Sequence, residues 1–352
     1  MYTVNELLTI AAERKASDLH LTVGVPPKIR VFGELQDIDA PKLMPDDIHA
    51  LAYSILPATQ IQKFEEKGEL DFSYSIPGIG RYRANVYHQR GSLAVVIRLV
   101  GEKIPSPETL GIPYSVSDLI HKRRGLVLVT GPTGSGKSTT LASLVDAINE
   151  QYAYNIITLE DPVEYLHPHK RSIVNQREVG TDTLTFSNAL TSALREDPDV
   201  ILVGEMRDLD TIATAITAAE TGHLVFSTLH TIGAASTIDR IIDVFPPYQQ
   251  GQIRSQLSLV LEGVVSQQLI PTVGGRGRKG AFEVMLGTPA IRNLIREGKT
   301  HQIASVMQTS KKQGMCTMDD AIFELYVNGH IDRTQAIGYA QDPQALNNRL
   351  FM

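Results

Sequence analysis

"GPTGSGKST", Gly131 to Thr139, is the stretch on which the reading of this chain turns. It fits G-x-x-x-x-G-K-[ST] at every defined position. It follows the apolar run GLVLVTG and opens onto a helical stripe of Leu141, Leu144, Val145 and Ile148. Strand, loop and helix in that order are the context a phosphate-binding loop requires. Its glycines let backbone N–H groups turn inward around phosphates, where the start of a helix adds favourable potential. The candidate nucleotide-binding residues are therefore Gly131, Pro132, Thr133, Gly134, Ser135, Gly136, Lys137, Ser138 and Thr139. Lys137 is placed to reach the β- and γ-phosphates, and Ser138 to ligate Mg²⁺ through its hydroxyl.

Outward from the loop, NIITLED, DVILVGE and HLVFSTLH repeat the apolar strand type. Between them lie helical stripes, one of Phe186, Ala189, Leu190, Ala193 and Leu194 that stops at Asp197-Pro198. The alternation predicts an α/β domain with a mainly parallel sheet covered on both faces. From about Thr288 the pattern is helical to residue 352, in several short pieces.

The first hundred residues predict a smaller α+β module. VNELLTIAAERKASD places Val4, Leu7, Leu8 and Ala11 on one helical face, with Thr3 or Asn5 near the start. DLHLTV, PKIRVFGEL, ELDFSYSI, GRYRANVYHQRG and LAVVIRLV read as strands, the last three joined by the turns PGIG and RG. GEKIPSPETLGIPYS, Gly101 to Ser115, carries three prolines and two glycines and reads as an interdomain linker or hinge. The expected domains are thus 1–100, a linker at 101–115, and 116–352 with C-terminal helices at about 288–352.

A phosphate loop needs a carboxylate at the end of a neighbouring strand. In DVILVGEMRD the position usually held by Asp is Gly204, which leaves Glu205 to polarise the attacking water. Glu160, Asp161 and Glu164 cluster just past NIITL; Glu160 and Asp161 are the candidates for Mg²⁺ support beside Ser138, partly through water, and Glu164 is a candidate catalytic carboxylate. TGHLVFSTLHT brackets a strand with two of the ten histidines. His230 lies at the carboxyl end, where ligands of such sheets bind, and is a candidate γ-phosphate sensor. His223, at the opposite end, reads as a contact to a neighbouring surface or subunit.

Net charge is −6, and the local basic runs His121-Lys122-Arg123-Arg124 and Arg276-Gly277-Arg278-Lys279 lack interleaved aromatics. Both read as solvated loops, so nucleic acid is disfavoured as a partner. A single cysteine, Cys316, allows neither an intrachain disulfide nor a cysteine zinc cage. No apolar run is long enough to span a membrane, and MYTVNELLTIAAERKASD does not read as a secretory signal. A cytoplasmic location is expected.

Taken together, GPTGSGKST, ITLEDPVE, VGEMRD and TGHLVFSTLHT resemble the secretion ATPase superfamily, and more narrowly the PilT family of type IV pilus retraction ATPases. The likeness runs over nearly the whole chain, including ASDLHL and the signature AIRNLIREGKT, Ala290 to Thr300. The resemblance implies a RecA-like P-loop ATPase domain behind a PAS-like N-terminal domain. It implies a homohexamer that hydrolyses ATP with Mg²⁺ and drives pilus disassembly by rigid-body domain motion. The implied partners are a platform protein of the inner membrane, pilin through it, and the pilus extension ATPase. The implied place is the inner face of the cytoplasmic membrane at the pilus base.

By the same resemblance, arginines of the N-terminal sheet complete the site, and Arg81, Arg83 and Arg98 are the candidates. The AIRNLIREGKT helix, with Ile291, Leu294 and Ile295 on one face, is expected to serve coupling or partner engagement. A nucleic-acid-stimulated translocase and a nucleotide-dependent assembly scaffold are the competing expectations.

Overall fold

In the computed structural model, described for residues 2–31, 33–76, 80–99, 103–275 and 277–351, the chain forms two units. The first comprises Met1–Lys103 with Pro162–Leu166; the second comprises Ile104–Asp161 and His167–Met352.

The first unit is built on six antiparallel strands: β1 (Asp18–Leu21), β2 (Lys28–Val31), β3 (Glu34–Asp37), β4 (Glu69–Ile76), β5 (Gly80–Gln89) and β6 (Ser92–Leu99). Their order is β3-β2-β1-β6-β5-β4. The helix Val4–Glu13 starts at a capping box between Thr3 and Glu6 and buries Val4, Leu7, Leu8 and Ala11, the stripe read from sequence. PKIRVFGEL, expected as one strand, is a hairpin of β2 and β3 in which Gly33, at φ 89°, supplies the turn. Two helices were not anticipated, Pro45–Ile55 and Ile61–Lys67. The former shows a regular stripe of Ile48, Leu51, Ala52 and Ile55 behind Pro45 at its first turn. In the expected PGIG turn, residues 77–79 lie outside the described residues.

The second unit holds seven strands: β7 (Gly125–Thr130), β8 (Asn155–Glu160), β9 (Ile173–Glu178), β10 (Val200–Val203), β11 (Leu224–Leu229), β12 (Leu261–Pro271) and β13 (Arg278–Leu286). They run in the order β13-β12-β7-β11-β10-β8-β9, all neighbours parallel except the β12–β13 hairpin. The parallel sheet is as expected; the hairpin was not read from sequence.

Alternation along each strand builds two cores. Leu126, Leu128, Ile201, Val203 and Val225 face the helices Phe186–Ala193, Leu209–Glu220, Ala234–Asp243 and Pro247–Val260. Val127, Val129, Leu202 and Phe226 face the helix Lys137–Gln151 through Leu141, Leu144, Val145 and Ile148.

Two expectations change. The stretch read as a linker is anchored from Ile104 onward: Ser106 caps the helix Pro107–Leu110, and Pro107, Ile112 and Val116 are buried. Apolar residues of this stretch find places in the second core, and Val100, Gly101 and Glu102 lie outside the described residues. The helix Pro289–Arg296 is capped by Thr288 as expected, but Ile291 and Ile295 are fully buried in the first of those cores. A polar residue at position 295 therefore breaks packing before it reports on any partner.

Replacing Ile295 by Ala should cost about 2–5 kcal/mol of stability, with a smaller loss for half-buried Leu294. Urea unfolding of the two variants measures this.

Candidate functional site

The site begins with strand register. Thr130 pairs with Leu229, and Val203 with Ser227, so three parallel strands finish at one edge. Gly131, Gly204-Glu205 and His230 follow those ends directly.

Gly131, Gly134 and Gly136 take φ of 139°, 79° and 89°, backbone that other residues enter only with strain. At Gly131 a Cβ would stand 2.2 Å from the Gln267 carbonyl oxygen. The Gln267 side chain donates to the Ser135 carbonyl at 2.6 Å, so β12 braces the loop from beneath. The helix opens at Lys137, so its positive end faces the loop. Buried Ser135 Oγ has no hydrogen-bond partner among the described residues, and a hydroxyl so placed fits a phosphate oxygen. Pro132, Thr133, Gly134 and Ser138 are exposed, and Thr139 is half-buried.

Lys137 is buried, and its ammonium donates to the carbonyls of Gly131 (2.9 Å) and Pro132 (3.1 Å). It also lies 3.5 Å from His230 Nδ1, while His230 Nε2 lies 3.0 Å from Glu205 Oε1. The other Glu205 oxygen meets Arg207 at 2.7 Å. An ammonium offers only protons, so the neutral His230 that fits accepts at Nδ1 and donates from Nε2. The hydrogen bond to Glu205 raises the Arg207 guanidinium above its ordinary value, with Asp161 adding in the same direction.

The structure gives a reason for Gly204. A Cβ there would lie 3.0 Å from the Leu159 carbonyl oxygen and 3.4 Å from Glu160 Cα. Thr228 Oγ1 donates to the Gly204 carbonyl at 2.5 Å, and Met206 N to the Thr228 carbonyl at 3.1 Å, which fixes the backbone on either side of Glu205. Glu160 Oε1 accepts from Thr158 (2.6 Å) and Gln176 (3.1 Å), whereas Asp161 is exposed. Hard oxygen donors of this kind are the chemistry that suits Mg²⁺.

His223, half-buried, has its ring Nδ1 2.9 Å from the Ala218 carbonyl and 3.2 Å from Thr221 Oγ1, closing off the preceding helix. Gln267 and Arg207 were missed from sequence: the first because its strand was not recognised, the second although VGEMRD was in view.

The remaining candidates belong to the first unit. Glu164 lies in Pro162–Leu166. Arg81 Nε donates to the Val163 carbonyl at 3.1 Å. Arg83 pairs across the strands with Arg98, and Arg98 with Asp18, which in turn faces Arg30. Asp18 is buried and lies 3.0 Å from Arg98 Nε. Burial alone would raise the Asp18 carboxyl, but the Ser17 hydroxyl and the Arg98 guanidinium outweigh it and hold it below the usual carboxylate range.

Residues 112–330 match the family model described as "Type II/IV secretion system protein". The chain is 51% identical over 341 residues to "Type IV pilus retractation ATPase PilT" of Pseudomonas aeruginosa, spanning 97% of this chain and 99% of that one. It is 44% identical over 346 residues to "Twitching motility protein" of Neisseria gonorrhoeae, spanning 98% and 92%. A solved structure described as "Crystal Structure of the Pilus Retraction Motor PilT and Bound ADP" is 51% identical and superposes with a TM-score of 0.93 over 99% of this chain and 100% of that one. The Legionella pneumophila ATPase DotB superposes with a TM-score of 0.83 at 28% identity, over 95% of each chain.

The loop geometry separates two glycines. Gly134→Ala, into open space, should cost about 1–3 kcal/mol from backbone strain alone. Gly131→Ala should cost more, because it adds the collision with Gln267; urea midpoints of the two variants test the order.

Proposed function

The chain belongs to the PilT family of type IV pilus retraction ATPases, within the Type II/IV secretion system proteins, and on that footing we propose an ATP-hydrolysing motor that powers pilus disassembly through nucleotide-driven domain motion. The observation that carries this reading is the overlap with the Pseudomonas retraction ATPase, 51% identical across 97% of this chain and 99% of that one.

In the proposed reaction Lys137 binds the β- and γ-phosphates of ATP. Its ammonium exchanges the carbonyls of Gly131 and Pro132 for anionic oxygens, which are stronger partners. Glu205 orients the attacking water and accepts its proton. His230, hydrogen-bonded to Glu205 and within reach of Lys137, responds to the terminal phosphate. Arg207 holds the far oxygen of Glu205 and so fixes the orientation of the carboxylate. Ser138, Glu160 and Asp161 would hold Mg²⁺, partly through water, and the ion would supply neutralisation of phosphate charge. Arg81, Arg83 and Arg98 are the arginines proposed to complete the site, and Glu164 a further carboxylate.

The proposed working form is a ring of six copies. It engages a platform protein at the cytoplasmic face of the inner membrane, acts through it on pilin, and alternates with the extension ATPase. Among the described residues no helix is long and apolar enough to cross a membrane. The net charge of −6 speaks against a nucleic-acid track.

Phosphate-release assays should find turnover lowered on the order of 100-fold or more in Lys137→Ala and Glu205→Gln, with nucleotide binding retained in the latter. Normal turnover in Glu205→Gln would remove that residue from the mechanism. A strain lacking the protein should carry abundant surface pili yet fail to spread by twitching; bare cells would contradict retraction.

A further inference from the structure

Glu283, in β13, is a buried carboxylate, 5% exposed, with no part in the chemistry above. Its Oε1 accepts the backbone N–H of Ala234 at 2.6 Å, the first residue of the helix Ala234–Asp243. Its Oε2 accepts the backbone N–H of Met318 at 3.1 Å, the first residue of the helix Met318–Val327, and Gln341 Nε2 at 3.4 Å. Burial pushes the carboxyl up; the donors on Ala234, Met318 and Gln341 oppose this, and nearby Asp319 reinforces it. A carboxylate so enclosed is costly unless paired, and the positive ends of two helices are what pair it.

The two helices are remote in sequence, and a cavity of about 700 Å³, lined by Gly233, Ala234, Glu283, Thr317 and Gln341 among others, opens beside the carboxylate. On one side, Ala234 ends the loop that starts at His230, and Gly233 N in that loop donates to Ser266 Oγ at 3.0 Å. On the other, Asp319 accepts the backbone N–H groups of Gln341 (2.7 Å) and Asp342 (2.9 Å), gathering the last helices onto the same point.

We propose that Glu283 is a positioning residue that locks the His230 loop to the C-terminal helices, so that a shift in those helices reaches the nucleotide edge through one carboxylate. The catalytic half of this inference rests on the role proposed above for His230.

The test is a double-mutant cycle with a second, structural readout. A glutamine at 283 keeps one acceptor and turns an NH₂ toward the other helix start. Glu283→Gln should lower kcat about tenfold, leave KM within about twofold, and cause no further loss in a His230→Ala background. An equal fall in both backgrounds overturns the link to His230. A His230→Ala variant with unchanged kcat instead sinks the role assigned to His230.

The structural coupling is then decided by amide exchange in Asp319→Ala, which removes the hydrogen bonds to Gln341 and Asp342 on the C-terminal side. Exchange at residues 230–237 faster by about tenfold supports the lock, and loosening confined to 317–342 overturns it. This arm also stands if Glu283→Gln does not fold.

Discussion

The alignment of three neighbouring strand ends governs everything that the second unit can do. Because Leu229 lies opposite Thr130 and Ser227 opposite Val203, the chain leaves β7, β11 and β10 at nearly one level. A slip of one residue in either pairing would turn buried side chains to the wrong face and carry His230 or Glu205 away from Lys137. The two apolar cores enforce that register, since each strand must satisfy helices on both sides. The polar chain from Lys137 through His230 and Glu205 to Arg207 is thus a by-product of hydrophobic packing some distance below it.

Polar residues inside the sheet serve the same alignment. Ser227 and Thr228 are buried, and their hydroxyls bond to the Val203 and Gly204 carbonyls, side chain to backbone across adjacent strands. Each is a buried group with a partner, the condition under which polarity in a core adds specificity. Gly204 belongs to this scheme. There β10 runs so close to β8 that a Cβ would crowd the Leu159 carbonyl, and the acid stands one residue later, at Glu205.

Legibility in the sequence followed the range of the interaction. The strand–loop–helix order around Gly131 and the stripe from Leu141 to Ile148 are local patterns that stand in the structure as read. Of the two candidate caps near the start, Thr3 and Asn5, it is Thr3 that caps. Gly204 was visible as a departure, but its cause was not, because the crowding oxygen belongs to Leu159 on another strand. Gln267 and Glu283 escaped for a like reason: both sit on the β12–β13 hairpin, whose pairing must be known before their side chains have neighbours. Proline and glycine in the segment after residue 100 suggested looseness. What they concealed was Ile112 and Val116, whose burial needed the rest of the core to be seen. The burial of Ile291 and Ile295 depended in the same way on a core assembled from other elements.

Five residues of the first unit, Pro162 to Leu166, are encoded in the middle of the second. Val163 in that piece is buried and receives the Arg81 guanidinium on its carbonyl. Cutting the gene at the boundary before Ile104 would therefore yield neither body whole. An amino-terminal fragment would lack a backbone acceptor it normally uses, and the complementary fragment would display an apolar loop with nothing of its own to cover it. Domain exchange between relatives has to move this insert together with the first hundred residues, or graft two mismatched surfaces at once.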